Sequence, residues 1–180
     1  KRIRDGLKRD PSQRRPIWIE AREGLGKTRL LEELVIEAKL IGALTISVAA
    51  QLARSEPYAV ARALIEQLVL KMPESLAVLQ DDDRAVLAAQ FPALGGASGP
   101  AAGTAAPQGE LRHQLQGALA RWLRETTRSR WLVVAVDDFH AADDESAALL
   151  AALVADRSAP SLSLAVAVLA TADQAIAAIN

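Results

Sequence analysis

Short apolar runs alternate with segments of helical periodicity along the 180-residue chain. Four of these runs have the length and character of buried strands, and they lie at residues 17–19, 44–48, 131–136 and 162–171. After the first run, Leu30, Leu31 and Leu34 recur at helical spacing until Gly42 offers a C-terminal stop. Strands that alternate with helices are joined by right-handed crossovers. The pattern therefore predicts an α/β fold whose doubly wound, mostly parallel sheet carries helices on both faces.

Further helices are predicted between the second and fourth strands. The apolar spacing places them from Pro57 to about Lys71, with helical character continuing to Phe91, and at about 111–127 and 146–154. An acidic run at 81–83 precedes an alanine-rich stretch. Because carboxylates are favoured at helix N-termini, we interpret this run as helix capping rather than as a metal site.

Two segments depart from the regular pattern. Residues 1–15 carry seven basic and two acidic side chains. They are interpreted as a solvated basic lead-in, with a polyanion or partner contact as the alternative. Residues 92–109 hold five glycines and three prolines with almost no large side chain, which predicts a flexible insertion. Residues 16–180 are then one core domain, and a chain that opens at Lys1 and ends soon after its fourth strand is expected to be a truncated piece of a longer polypeptide.

The composition narrows the class of protein. Twenty-one basic side chains against twenty-two acidic ones give a formal charge of −1, so no overall electrostatic footprint for nucleic acid is present. The chain has no cysteine, which excludes disulfides and thiolate metal sites and suits the reducing cytoplasm. The longest apolar runs are shorter than the roughly 18–20 residues that span a bilayer. We therefore expect a cytoplasmic domain that contacts neither membrane nor nucleic acid directly.

The stretch "EGLGKTR", residues 23–29, follows the first predicted strand and opens the first predicted helix. Backbone N–H groups that converge at a helix start attract phosphate, and glycines let the backbone wrap closely around it. Lys27 is placed to reach the β and γ oxygens of a nucleotide, and the Thr28 hydroxyl to complete a magnesium shell. The candidate nucleotide-binding residues are Gly24, Leu25, Gly26, Lys27, Thr28 and Arg29. Taken alone, the string is also compatible with a helix start and its capping turn.

A second motif closes the third predicted strand. Asp137 ends the apolar run, and in a parallel sheet its carboxylate would lie at the same edge as Thr28, facing a magnesium ion. Asp138 is the candidate catalytic residue, placed to orient or deprotonate an attacking water. Two aspartates at a strand end are also compatible with a turn or a helix cap. The order and context of the two motifs together favour the nucleotide site.

The segments "AREGLGKTRLLEEL" and "WLVVAVDDFHAADDESAALLAAL" resemble the signal-transduction ATPases with numerous domains (STAND), an AAA-related branch of the P-loop ATPases found in large bacterial regulators. They match its Walker A and Walker B motifs, and the similarity extends from Ile17 to Thr171. The resemblance implies a P-loop NTPase core that binds ATP or ADP with Mg²⁺ and uses the nucleotide as a conformational switch. Its expected partners are other domains of the same polypeptide, together with nucleotide-dependent homo-oligomerisation.

Three further residues enter through this resemblance. His140 and Asp143 belong to the second motif, where the family places them near the nucleotide or in its coupling to neighbouring elements, and Thr171 is a candidate sensor with His140. Judged from the residues themselves, His140 is a structural hydrogen-bonding group, and Asp143 or Asp144 is the N-cap of the helix that contains Ser146.

The chain also departs from the family pattern. Ala21 stands where the first loop glycine is usual, which matters only if that position needs a positive φ. Ala141 replaces an aromatic residue, and the arginine often found after Thr171 is missing. Since phosphoryl transfer depends on positioned positive charge, we expect slow hydrolysis or none in isolation. The alternatives are a nucleotide-free P-loop fold that serves as an interaction scaffold, and an active motor-like ATPase.

Overall fold

The computed structural model describes residues 16–53, 56–95, 108–128, 130–155 and 161–170. They form a four-stranded sheet in the order β1-β4-β3-β2, and every strand pair is parallel. The strands are β1 (Ile17–Ala21), β2 (Leu44–Ala49), β3 (Leu132–Asp137) and β4 (Leu162–Leu169). The prediction of an α/β fold with a parallel sheet is confirmed, and all four predicted strands are present.

Five α-helices connect and flank the strands of the described chain. They are α1 (Lys27–Leu40), α2 (Ala59–Lys71), α3 (Asp81–Ala88), α4 (Gln108–Thr126) and α5 (Asp144–Ala155). The second helix begins two residues later than predicted, because Tyr58 holds a left-handed backbone (φ 63°) that ends the preceding turn. Of the three leucines whose spacing predicted α1, Leu31 and Leu34 are buried, whereas Leu30 is 38 % exposed.

The order of the strands explains why helices cover both faces. The connection through α1 carries the chain from β1 at one edge to β2 at the other, and the later connections step back to β3 and β4. Right-handed crossovers that run in opposite directions lie on opposite faces of a sheet. Accordingly α1 packs Leu31, Leu34 and Ala38 on one face, and the remaining helices build the larger core on the other. The predicted doubly wound arrangement is confirmed.

The acidic run 81–83 lies in the first turn of α3, as predicted, but no side-chain hydrogen bond caps that helix. Its three members differ in environment. Asp81 and Asp82 are exposed, whereas Asp83 is buried and its carboxylate accepts hydrogen bonds from the Arg121 guanidinium on α4. Asp83 therefore joins two helices, which corrects the interpretation of this residue as a cap. Within the described part of the chain, no group of three or more acidic or histidine side chains is placed to hold a metal ion.

The predicted flexible insertion at 92–109 is corrected at both ends. Pro92–Leu94 form a short 3₁₀ turn, the Leu94 side chain is fully buried, and Arg84 donates a hydrogen bond to the Leu94 carbonyl oxygen at 2.7 Å. At the other end, Gly109 already belongs to α4. Residues 96–107, the basic lead-in at 1–15 and the candidate sensor Thr171 lie outside the described residues.

The outer edge of β2 is covered by side chains of α2. The Gln67 amide accepts a hydrogen bond from the Ser47 N–H (3.2 Å) and donates one to the Ser47 carbonyl oxygen. The Lys71 ammonium donates to the Thr45 carbonyl oxygen at 2.9 Å. Burial, with Lys39 nearby, lowers the pKa of Lys71. Three of the backbone groups that this edge strand turns away from β3 thus have side-chain partners.

Among the helices that the structure describes, none is both long and apolar enough to cross a lipid bilayer.

Candidate nucleotide-binding site

The loop between β1 and α1 has the backbone conformation that its glycines permit. Gly24 and Gly26 hold left-handed φ values of 77° and 80°, and Gly26 is the N-cap of α1. A side chain at either position would be strained, although no atom lies within 4 Å of where a Cβ would stand. Both glycines are therefore required by conformation, and the loop around them is open to solvent.

The first turn of α1 leaves backbone donors for a ligand. Its first internal hydrogen bond runs from the Leu30 N–H to the Gly26 carbonyl oxygen (3.0 Å), so the N–H groups of residues 27–29 have no partner within the helix. No side chain caps this end, and the first turn contains no acidic residue. Converging N–H groups at the positive end of a helix dipole favour an anion such as phosphate.

Ala21 occupies the last position of β1 and pairs with Leu169 of β4. Its backbone does not have a positive φ; among described non-glycine residues, that conformation is found only at Tyr58 and Asp138. An alanine in extended backbone carries no steric penalty. The departure from the usual glycine is therefore compatible with an intact loop.

Three loop side chains differ in their surroundings. The Lys27 ammonium donates a hydrogen bond to the Arg22 carbonyl oxygen at 3.1 Å, which draws the two ends of the loop together. Arg29 forms an exposed ion pair with Glu33 one helical turn further on. Leu25 is 70 % exposed at the tip of the loop. Of the basic side chains predicted to bind nucleotide, Lys27 is held at the loop and Arg29 is directed along the helix surface.

The end of β3 carries the two predicted carboxylates. Asp137 is the last residue of the strand, and its Oδ1 accepts the Asp138 N–H at 3.0 Å. Asp138 has a left-handed backbone (φ 49°, ψ 42°) and begins a 3₁₀ turn over residues 139–141. Left-handed backbone is uncommon outside glycine and is several-fold enriched for aspartate. The chain therefore turns sharply just after the carboxylate that was predicted to face a metal.

The glycine loop and Asp137 both lie at the carboxyl end of the parallel strands. Both follow the carboxyl ends of parallel strands, and β4 alone lies between β1 and β3. Two strand spacings correspond to about 10 Å. The Ala170 N–H donates to the Ala21 carbonyl oxygen (3.2 Å), so the end of β4 forms the floor between them. A crevice outside the carboxyl ends of the strands is where open α/β sheets bind ligands.

Phe139, in the turn after Asp138, is a residue that sequence reasoning missed. Its side chain is fully buried and meets the Trp18 ring of β1 edge-on, with 6.3 Å between ring centroids. His140 follows it, and the His140 Nδ1 is buried without a hydrogen-bond partner among the described residues. The turn is thus anchored under β1 by one side chain. The other holds a buried polar atom still able to take a partner.

Asp143 is the N-cap of α5, as predicted, because its carboxylate accepts the Ser146 N–H at 2.8 Å. The same carboxylate also accepts the N–H groups of Tyr58 (2.8 Å) and Val60 (3.3 Å) at the start of α2. The contact of Asp143 with the start of α2 was not predicted, since 85 residues separate Asp143 from Tyr58. Burial raises the pKa of the Tyr58 hydroxyl, so its ring remains a neutral packing group, edge-on to Phe91.

The family model for the AAA ATPase domain matches residues 1–167, which include the glycine loop, both carboxylates and nearly all of the described sheet. The chain belongs to the AAA ATPase domain family. This domain is a nucleotide-binding ATPase module that typically works with Mg²⁺. No match was found among curated proteins or among solved structures.

The residues of this AAA ATPase domain fit the nucleotide that the family implies. The uncapped start of α1 and its two left-handed glycines form a cradle for phosphate groups. The Thr28 hydroxyl and the Asp137 carboxylate are oxygen ligands of the kind that Mg²⁺ prefers. The left-handed conformations at Gly24 and Gly26 also explain why glycine suits those two positions of the motif.

Proposed function

We propose that this AAA ATPase domain is a Mg-ATP-binding switch of a larger bacterial signalling or transcription regulator, with slow hydrolysis or none in isolation. The observation that carries the proposal is the start of α1. Its left-handed glycines and its N–H groups without a partner in the helix lie at the same carboxyl end of the sheet as Asp137. An anion site opposite a carboxylate suits a phosphate chain that carries a divalent cation.

Each candidate residue has a physical role in the proposal. The N–H groups of residues 24–29 bind phosphate oxygens. Lys27, which now bonds the Arg22 carbonyl oxygen, exchanges that partner for the β and γ oxygens. Thr28 and Asp137 hold Mg²⁺, which when bound neutralises the negative charge of the phosphates.

Asp138 is the proposed residue that orients the attacking water, since its left-handed backbone fixes the chain immediately beyond Asp137. Thr171 and His140 are proposed as sensors, and the unpartnered buried Nδ1 of His140 supports a group that gains a partner in another state. Positioned positive charge is what accelerates phosphoryl transfer. Of the two basic side chains assigned to the nucleotide, Arg29 is directed toward Glu33 and Lys27 lies at the loop, and a single positioned charge supports slow turnover.

The regulatory role rests on the resemblance to the STAND ATPases. It implies that ATP and ADP states differ in how neighbouring domains of the same polypeptide pack on this one, with homo-oligomerisation in one nucleotide state. A cytoplasmic location is part of the proposal, because the cysteine-free sequence suits a reducing compartment.

The test is calorimetric titration of ATP and ADP, each with Mg²⁺, into the chain and two variants. Lys27→Ala removes the loop charge. Lys39→Ala removes an equal charge at the other end of α1 and is the matched control. We expect micromolar ATP binding that falls about 100-fold or more in Lys27→Ala, in line with loss of a charge-assisted contact to phosphate, and that persists in Lys39→Ala.

Binding that survives Lys27→Ala unchanged would overturn the assignment of the loop. A folded wild-type chain that binds neither nucleotide favours the alternative function, an interaction scaffold that retains the P-loop architecture without its ligand.

A further inference from the structure

One carboxylate joins the N-termini of two helices that are distant in sequence. Asp143 accepts hydrogen bonds from the Tyr58 and Val60 N–H groups of α2 and from the Ser146 N–H of α5. The Ser146 hydroxyl, fully buried, accepts the Ala61 N–H at 3.0 Å. We call these five residues the Asp143 clasp. Through it, all but one of the first four N–H groups from Tyr58 onward find acceptors on the other helix.

The clasp is connected to the candidate nucleotide site by a segment with little slack. Asp137 Oδ1 accepts the Asp138 N–H, and the Asp138 carbonyl oxygen accepts the Ala141 N–H at 2.8 Å. The Phe139 carbonyl oxygen accepts the Ala142 N–H at 3.0 Å. These bonds restrict the turn between Asp137 and Ala142, so we expect a displacement of Asp137 to shift Asp143.

The far side of the clasp is a strained element. Tyr58 has φ 63° and ψ 21°, a conformation that is a genuine outlier for a bulky residue and persists only where surrounding contacts impose it. One of those contacts is its own N–H, held by Asp143. Loss of the bond to Asp143 would remove one of the contacts that impose this conformation, so the first turn of α2 depends on the clasp.

We propose that the Asp143 clasp transmits the occupancy of the nucleotide site to the first turn of α2, and that Mg-ATP tightens it. The inference rests on the proposed function and names the regulation of the same site. The direction follows from Asp137: a carboxylate held by a bound cation moves less, so the turn that leads to Asp143 is fixed more firmly. At its other end α2 carries Gln67 and Lys71, which bond the outer edge of β2.

The test measures amide hydrogen exchange by NMR at residues 58, 60 and 61 of the 180-residue chain, alone, with Mg-ATP and with Mg-ADP. We expect Mg-ATP to slow exchange at these amides about fivefold or more, the low end of ordinary coupling between sites. Ser146→Ala removes the acceptor of the Ala61 N–H with little change in volume, and Asp143→Asn removes one carboxylate oxygen and the charge. Asp143→Asn should abolish the change at all three amides, and Ser146→Ala should abolish it at residue 61.

Because coupling is reciprocal, Asp143→Asn should weaken Mg-ATP binding by the factor that the wild-type exchange rates show, and Ser146→Ala should weaken it by a smaller factor. Asp144→Asn removes the neighbouring exposed charge on α5 and is the matched control, with both readouts unchanged. If Asp143→Asn does not fold, Ser146→Ala decides the question.

The outcomes separate the two proposals. If Mg-ATP binds but exchange at residues 58–61 does not change, the clasp inference is wrong and the switch function stands. An exchange change as large as in the wild type at all three amides of Asp143→Asn, or at residue 61 of Ser146→Ala, shows that the signal takes another route, which also overturns the inference. A folded wild-type chain that binds no ATP overturns both.

Discussion

Two helices of this AAA ATPase domain begin at the carboxyl end of the sheet, and only one of them has a capped N-terminus. The helix α5, after β3, is capped by Asp143 and carries Asp144 and Glu145 in its first turn. The helix α1, after β1, begins at Gly26 with neither a side-chain cap nor an acidic residue. Each N-terminus is the positive end of a helix dipole and has N–H groups without a partner inside the helix. One is satisfied by the protein's own carboxylates, and the other is left for an anion from solution.

The difference shows where the chain gives up stability for binding. An N-cap side chain typically contributes about 1 kcal/mol, and Gly26 provides no such side chain. The left-handed glycines of the same loop add further backbone entropy to be lost on folding. The start of α1 is thus the less stabilised of the two helix ends, which is the expected condition of a site whose partner is a ligand.

The largest expected effect comes from making α1 resemble α5. Thr28→Asp places a carboxylate in the first turn of α1, where it should stabilise the helix by about 0.3–1 kcal/mol. The same charge, roughly 4–5 Å from bound phosphate, would cost about 3–4 kcal/mol at an effective dielectric constant of 20. We expect ATP affinity to fall more than about 100-fold in calorimetry while the melting temperature holds or rises. Thr28→Ser keeps the hydroxyl and should bind within a few-fold of wild type. ATP binding by Thr28→Asp at wild-type strength would mean that α1 is not an anion site.

A smaller effect is expected from removing the cap of α5. Asp143→Ala leaves three N–H groups without their acceptor, and we expect a loss of about 2–3 kcal/mol in the free energy of unfolding. For a domain of this size that lowers the melting temperature by roughly 4–12 °C. Asp144→Ala, one residue along, should stay within about 0.5 kcal/mol of wild type. Equal losses in the two variants would show that Asp143 acts by charge alone and not by joining two helices.

The smallest effects are expected from exchanging glycine and alanine at the two ends of the loop, at Gly26 and at Ala21. Gly26→Ala forces a side chain into left-handed backbone and should cost about 1–2 kcal/mol. Ala21→Gly restores the usual motif, but the position is extended, so ATP affinity should not improve and the strand should lose about 0.5–1 kcal/mol. Calorimetry and thermal unfolding of the two variants provide the comparison. A gain in affinity in Ala21→Gly would contradict the extended conformation of this residue.

Local patterns in the sequence were sufficient for the parts of the site that lie within one element. The glycines at 24 and 26 and the aspartate that ends an apolar run carry their structural meaning in their immediate neighbours. The strands were predicted from periodicity, and the placement of helices on both faces of the sheet was predicted from crossover handedness. The structure confirms both. Those predictions needed no knowledge of which residues touch across the fold.

What the sequence did not predict depends on contacts between distant elements. Asp83 was interpreted as a helix cap because the local sequence does not reveal its pairing with Arg121, which lies 38 positions away. Leu94 looked like part of a flexible insertion because its neighbours are small, although its own side chain fills the core. The second role of Asp143 depends on an unusual backbone conformation at Tyr58, for which no sequence signal exists. In each of these cases one side chain acquires its role only after the helices have packed.

The side-chain cover of β2 has a consequence for the behaviour of the protein at high concentration. An exposed edge strand is a template on which other chains can add, and such additions lead to fibrils and swapped assemblies. At Ser47 the place of an incoming strand is already taken by the Gln67 amide, which satisfies one donor and one acceptor together. An incoming strand would first have to displace the Gln67 amide, so the addition of a second chain at this edge strand is disfavoured.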